Sequence, residues 1–316
     1  MTEKGPPSLF DFQVNGFGGV DFQRDDLTAA DWQRAVAALE RHRTRAIFVT
    51  LVTAEIDLLC RRFERIERFR TANPALARMV PGYHLEGPWL LPEPGFHGAH
   101  PRGPMHAPQL AEFERLQSAA GGRIALVTLA PEWPGSAEFI AELARRGVHV
   151  SLGHTNASEG QIDAAIAAGA RFATHVGNGT PGVLPRHDNV IQRLLARDEL
   201  TACLIPDGIH LPPFALKNFF RAKPPGRVLF TTDCMAGAGA PPGRFTIGEM
   251  TVEIGADRIV RQPGGGGFAG SALAPDEGVS RVQQYLGLSA EAAVQLWSSA
   301  PLAAFGVKLE EGKIDA

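Results

Sequence analysis

Four residues of this 316-residue chain each follow a short apolar or β-branched run: Glu86, His154, His175 and Asp233. They stand in the segments His84-Leu-Glu-Gly-Pro88, Gly153-His-Thr155, Thr174-His-Val176 and Thr231-Thr-Asp233. One carboxylate and two neutral imidazoles are a usual ligand set for a catalytic zinc, leaving a fourth position for a water whose pKa the ion lowers toward neutrality. Asp233 is then free to act as base. A lone strand-end histidine is more often structural. Four such groups at the ends of four strands are harder to explain by packing, because buried charge is costly unless paired or metal-bound. His84 and Glu86 are two apart on a strand and face the same way, so His84 is a candidate to orient Glu86 or a lid residue, with a purely structural role left open. His42 and His149 read as structural, and His97, His106 and His187 carry no assignment.

These groups need a scaffold that brings strand ends together. Eight short segments have strand character: Leu9–Val14, Ala46–Val52, Val80–Leu85, Ile124–Leu129, His149–Leu152, Phe172–His175, Ala202–Ile205 and Val228–Thr232. Between them lie amphipathic runs such as Thr28–Arg43, Glu55–Arg70, Ser136–Arg146, Ser158–Ala168 and Pro212–Arg221. Strand and helix alternate, which predicts an α/β fold, a closed (β/α)8 TIM barrel forming one domain over residues 1–316. A doubly wound open sheet is the alternative, but Asn15-Gly-Phe-Gly-Gly19 is a poor match to its phosphate-binding turn. Two long loops interrupt the rhythm, Leu90–Gln109 and Ala236–Gly270. The second holds a hairpin-like insertion over 244–260 and the run Gly264–Gly267. Such loops are usually lids or binding loops.

Composition narrows the partners. The formal net charge is −3 and basic residues are scattered, so neither nucleic acid nor a membrane surface is expected to bind. Cys60, Cys203 and Cys234 are odd in number and far apart, which argues against a disulfide framework and for a reducing compartment. Met1 to Pro7 lacks the features of a signal peptide, and no apolar run approaches the roughly 20 residues of a spanning helix. The expected location is the cytoplasm.

The chain resembles the N-acetylglucosamine-6-phosphate deacetylase family of the amidohydrolase superfamily. The resemblance runs in order through Asp11-Phe-Gln-Val-Asn-Gly-Phe-Gly-Gly-Val-Asp21, His84-Leu-Glu-Gly-Pro-Trp89, Gly98-Ala-His100, Gly153-His-Thr-Asn-Ala157 and Thr174-His-Val-Gly-Asn178. It continues through Asp207-Gly-Ile-His210, Thr232-Asp233 and Ala269-Gly-Ser271. It implies that Glu86, His154 and His175 hold the metal and that Asp233 is general base and later acid. It also implies that Ala99, His100, Asn178, Gly179, His210, Phe268, Ala269 and Gly270 contact an amino-sugar phosphate. Arg186 stands where the family places an arginine that reaches the phosphate in the neighbouring subunit's site, which implies a homodimer. A guanidinium suits that task by its bidentate fork.

Strand one carries Gln13-Val-Asn15 where many amidohydrolases have His-x-His for a second metal. Amides are poor zinc ligands, so one divalent ion per subunit is expected, zinc first, with iron, cobalt or manganese also compatible. In the implied reaction Asp233 takes a proton from water at the metal, His100 or His210 steadies the oxyanion, and Asp233 protonates the leaving amine.

The resemblance has two departures. Only about ten residues precede the Asp11 motif and the sequence stops at Ala316, so the family's small β-sandwich is expected to be missing or vestigial. The stretch Gly177-Asn-Gly-Thr-Pro-Gly182 with Pro185-Arg-His-Asp-Asn189 also differs from the family's aromatic-Asn-Ala-Met pattern. Two rival functions follow. One is a sister hydrolase of another N-acetyl amino sugar, an N-acyl amino acid or a cyclic amide, and the other is a non-catalytic barrel that binds a sugar phosphate.

Overall fold

The computed structural model describes residues 8–262 and 268–309; the run Gly264–Gly267 lies outside the described residues. Eight parallel strands form one sheet in chain order. They are β1 (Leu9–Val14), β2 (Thr44–Val52), β3 (Gly82–Glu86), β4 (Ile124–Leu129), β5 (His149–Leu152), β6 (Phe172–Ala173), β7 (Thr201–Leu204) and β8 (Val228–Phe230). Helices follow the strands on the outside: α1 (Ala29–Arg41), α2 (Ile56–Ala72), α3 (Pro74–Met79), α4 (Leu110–Ala119), α5 (Ser136–Arg145) and α6 (Glu159–Ala168). After them come α7 (Val190–Leu195), α8 (Pro213–Ala222), α9 (Pro275–Leu286), α10 (Ala290–Gln295) and α11 (Ser299–Ala304). The result is the TIM barrel expected from the alternation.

The seam between β1 and β8 is closed by side chains and isolated links. Asp11 Oδ2 accepts from the Thr232 backbone N–H at 3.1 Å and hydroxyl at 2.5 Å, and Asp11 Oδ1 accepts from the Thr231 hydroxyl at 2.5 Å. The Asn15 N–H donates to the Cys234 carbonyl at 2.8 Å, and Val14 bridges Cys234. Burial pushes the Asp11 carboxyl up to about 6 against these hydrogen bonds. Three of the expected strands keep their expected bounds. The sixth and eighth end earlier, at Ala173 and Phe230, because the backbone leaves the ladder before His175 and Asp233, both of which take positive φ.

Helix bounds follow local chemistry. Thr28 caps α1 in a capping box with Asp31, and Pro74, which cannot continue a helix, opens α3 behind the cap residue Asn73. The 244–260 hairpin is the core of a three-stranded antiparallel sheet, β9 (Gly243–Ile247), β10 (Met250–Ile254) and β11 (Val260–Arg261). Asp21 anchors it, with Oδ2 accepting from the Thr246 hydroxyl and the Gly248 N–H, both at 2.9 Å. Among the described residues this sheet and a two-residue hairpin at Gly16–Phe17 and Val20–Asp21 are the sheets outside the barrel. No described helix is long and apolar enough to cross a membrane.

At the outer layer, His42 Nδ1 lies 2.8 Å from Asp276 Oδ1 and ties the end of α1 to the start of α9. The hydrogen bond and charge of Asp276 hold His42 above its ordinary value. A raised histidine stabilises the fold fully below its unfolded pKa of about 6.5, and that contribution disappears as pH rises through the raised value. His42→Ala is therefore expected to cost about 0.5–1 kcal/mol in denaturant unfolding near pH 6 and less near pH 8. A cost independent of pH would show that the ring acts by packing, for instance against Phe17, rather than by charge.

Candidate active site

The C-terminal mouth of the barrel holds a pocket of about 560 Å³. The strand ends feed it in a shared way: His154 (φ 51°), His175 (φ 31°) and Asp233 (φ 48°) are three of the five non-glycine residues with positive φ among the described residues, and Gly87 (φ 85°) follows Glu86. Such conformations cost on the order of 1–3 kcal/mol each and persist only where the surroundings enforce them. Here each turn swings its side chain off the strand into the mouth. Glu132 pins the turn after His154, accepting from the Thr155 hydroxyl at 2.7 Å and the Asn156 N–H at 2.6 Å.

Glu86, His154 and His175 each offer a ligand atom, and the three atoms lie within 4.8 Å of one another. Glu86 Oε1 is 2.9 Å from His175 Nε2 and 3.3 Å from His154 Nε2, all three residues being buried. The His154 Nδ1–H donates to the Phe96 carbonyl at 2.8 Å, which leaves the Nε2 lone pair facing Glu86. Burial opposes charge at Glu86, but the imidazoles of His154, His175 and His100 around it outweigh burial and hold the carboxyl well below the usual range. Burial likewise opposes charge at His175, and Glu86 pulls it up nonetheless. The centre therefore favours a positive charge between one carboxylate oxygen and two imidazole nitrogens. This donor set fits a divalent metal ion.

Strand one supports this centre from the side. The Gln13 amide donates to Glu86 Oε2 at 3.2 Å, and the Asn15 amide donates to Asp233 Oδ1 at 2.8 Å. Burial and the Glu86 charge push Asp233 up to about 7, against the opposing pull of His175, His210 and Asn15. Gln13 and Asn15 thus hold a ligand candidate and the base candidate by donation. From sequence they stood out only as missing ligands, although their i, i+2 spacing on a buried strand signalled two inward amides that need partners.

His100 reaches the same centre from the Leu90–Gln109 loop, with Nε2 3.8 Å from Glu86 Oε2 and its ring 4.5 Å from that of His154. His100 Nδ1 faces Thr53, 2.9 Å from its hydroxyl and 3.4 Å from its backbone nitrogen, which leaves Nε2 turned toward the centre. Burial, reinforced by His154, pushes His100 down to about 3, so the ring is neutral and carries one N–H. His210 carries a ring proton on Nδ1, which lies 2.6 Å from the acceptor Asp207 Oδ2.

Ala99, Asn178, Gly179, His210, Phe268, Ala269 and Gly270 also line the pocket. Gly98 and Gly179 lie against the His154 ring so closely that an added Cβ would sit 2.8 and 2.7 Å from it. Asn15, Val52, Ile247 and Gln262 line the pocket too and were not foreseen there. Two sequence candidates lie elsewhere. Arg186 is exposed and does not line this pocket. His84 lies buried with Nε2 2.8 Å from Thr128 Oγ1, and burial pushes it down to about 4; the support for Glu86 comes from Gln13 instead. Among the described lining residues there is no lysine or arginine.

An eight-stranded parallel barrel with a Glu-His-His centre and a half-buried Asp at its C-terminal mouth defines a metal-dependent amidohydrolase. No family model matches the chain. The N-acetylglucosamine-6-phosphate deacetylase of Bos taurus is 34% identical, covering 98% of this chain and 76% of that protein. The N-acetylgalactosamine-6-phosphate deacetylase of Escherichia coli O157:H7 is 31% identical over 95% of this chain and 78% of that protein. An N-acetyl-D-glucosamine-6-phosphate deacetylase of Mycobacterium smegmatis superimposes with a TM-score of 0.85 and 30% identity, covering 95% of this chain and 77% of that one. That structure is of an aspartate-to-alanine variant in complex with N-acetyl-D-glucosamine-6-phosphate. The chain belongs to the N-acetylglucosamine-6-phosphate deacetylase family, and it is a hydrolase of amide C–N bonds.

Proposed function

We propose that this chain hydrolyses the acetamide of N-acetyl-D-glucosamine 6-phosphate to D-glucosamine 6-phosphate and acetate, in the cytoplasm and as a homodimer. The convergence of Glu86, His154 and His175 beside Asp233 in one pocket carries this reading, in a chain so similar to deacetylases of this substrate. Glu86, His154 and His175 would hold one divalent ion, zinc by preference for this N/O set, with iron, cobalt and manganese also compatible. When bound, the ion supplies Lewis acidity that acidifies water and polarises a carbonyl oxygen. One ion is proposed because strand one offers the amides of Gln13 and Asn15, poor ligands for zinc, where a second ion would need imidazoles.

Asp233 takes the proton of the attacking water and later delivers it to the amide nitrogen, which is a very poor leaving group unprotonated. The neutral His100 N–H donates to the carbonyl oxygen as charge develops there. We choose His100 over His210 for this role because His100 Nε2 stands 3.8 Å from Glu86 Oε2 at the centre, whereas His210 spends its Nδ1 proton on Asp207. Ala99, Asn178, Gly179, His210 and the Phe268–Gly270 turn would hold the sugar.

The phosphate needs a cation that the pocket's own described lining lacks. Arg186 of the partner subunit supplies it in this reading, from an exposed loop that also carries Val183, 88% exposed. Acetate release by metal-loaded enzyme from the 6-phosphate, the free sugar and the galactosamine epimer tests the assignment. Arg186→Ala is expected to raise KM for the phosphate about 10–100-fold with little change in kcat, since a lost charge-assisted contact costs about 1.5–3 kcal/mol. Equal rates with and without phosphate would move the substrate elsewhere within the amidohydrolases. No acetate from any of the three would favour an N-acyl amino acid, a cyclic amide or a non-catalytic barrel.

A further inference from the structure

His210 has a partner that the reaction does not use. Asp207 is 4% exposed, and its carboxylate is fully engaged: Oδ2 meets His210 Nδ1 at 2.6 Å, and Oδ1 accepts the Ile209 and His210 backbone N–H groups, both at 2.8 Å. Those interactions hold the carboxyl below its ordinary range although burial opposes its charge. The turn is held from outside by α9. Arg281 donates to the Asp207 carbonyl at 2.6 Å and to the Tyr285 hydroxyl at 3.1 Å, and the Tyr285 ring packs where a Cβ on Gly208 (φ 72°) would stand. His210 itself lies against Phe268, ring centroids 5.3 Å apart, and faces the pocket.

A carboxylate can only accept, so His210 must place a proton on Nδ1, and with one ring proton there Nε2 offers a lone pair. We propose that Asp207 is a positioning residue that sets His210 as a hydrogen-bond acceptor for a sugar hydroxyl, and so makes it a specificity determinant. The identity of the ligand as an amino sugar rests on the function proposed above. A hydroxyl that donates to Nε2 satisfies this site, whereas a fluorine of similar size cannot donate and leaves the lone pair unpaired.

Asp207→Asn sharpens the test. Its amide oxygen can keep the two backbone N–H groups while its NH2 faces His210 Nδ1 and drives the proton to Nε2. The zinc-loaded wild type is assayed with N-acetylglucosamine 6-phosphate and its 3- and 4-deoxyfluoro analogues. It is expected to lose about 10–100-fold in kcat/KM with one of them. In Asp207→Asn that ratio is expected to fall to within a few-fold of one, with KM for the parent raised and kcat nearly kept. His210→Phe should show the same lost discrimination, and adding Asp207→Asn to it should change nothing further. A purely structural Asp207 would instead lower kcat and raise KM for every substrate alike, and would add to His210→Phe.

Imidazole 15N spectra read the tautomer without any substrate: protonated Nδ1 and bare Nε2 in the wild type, reversed in Asp207→Asn. A wild-type ring with a protonated Nε2, or equal wild-type rates with hydroxyl and fluorine at both positions, overturns the proposal. If the wild type turns over none of these sugars, the function reading fails while the spectra still decide the tautomer.

Discussion

Asp233→Asn is expected to lower kcat by about a thousand-fold or more while metal content and substrate affinity stay near wild type. The amide is nearly isosteric with the carboxylate, and its oxygen can go on accepting from the Asn15 amide, 2.8 Å from Oδ1 in the parent. The pocket shape therefore survives, and what disappears is the ability to take a proton from water and return it to nitrogen. The position of the group fits that double duty. Burial and the Glu86 charge raise Asp233 to about 7, near the value at which one residue can serve as base and then acid around neutrality. Steady-state rates, metal analysis and binding of the intact substrate to the variant test this together. Turnover within a few-fold of wild type would remove Asp233 from the reaction, and loss of metal would make it a structural neighbour of the centre.

Much of the fold was legible because the barrel repeats one simple pattern. Runs such as Ile124–Leu129 and His149–Leu152 are apolar or β-branched, are bounded by polar turns, and form strands of those bounds. Short helices were harder to read. α10 and α11 have six residues each and no long amphipathic period to mark them. Glu86, His154, His175 and Asp233 could be picked out because each stands at or just past the C-terminal end of a strand, where barrel chemistry collects. The groups that support them could not be paired from sequence. Gln13 meets Glu86 across 73 positions, and Asn15 meets Asp233 across 218. Proximity of that kind exists only after the barrel closes. His84 illustrates the same limit from the other side: two residues from Glu86 on one face of a strand, it hydrogen-bonds Thr128 on the neighbouring strand instead.

Glu86→Gln should nearly empty the metal site and take activity with it. In the parent, one oxygen of Glu86 faces both imidazole nitrogens, at 2.9 and 3.3 Å, while the other accepts from Gln13. Among the three candidate ligands this carboxylate alone brings a negative charge against a dication. Losing a supporting hydrogen bond to a ligand typically costs about 10–100-fold in metal affinity, and losing the ligand's charge in a buried site must cost more. The glutamine also disturbs His175, which Glu86 pulls up against burial and which would then stay neutral without its partner. Metal content measured after dialysis is expected to drop from about one ion per subunit to a small fraction, with acetate release falling in parallel. Chelation of the wild type should reproduce the loss, and added zinc should reverse it in the wild type but not in the variant. A Glu86→Gln protein that keeps a full complement of metal would place the ion elsewhere in the mouth, and with it the whole assignment of Glu86, His154 and His175.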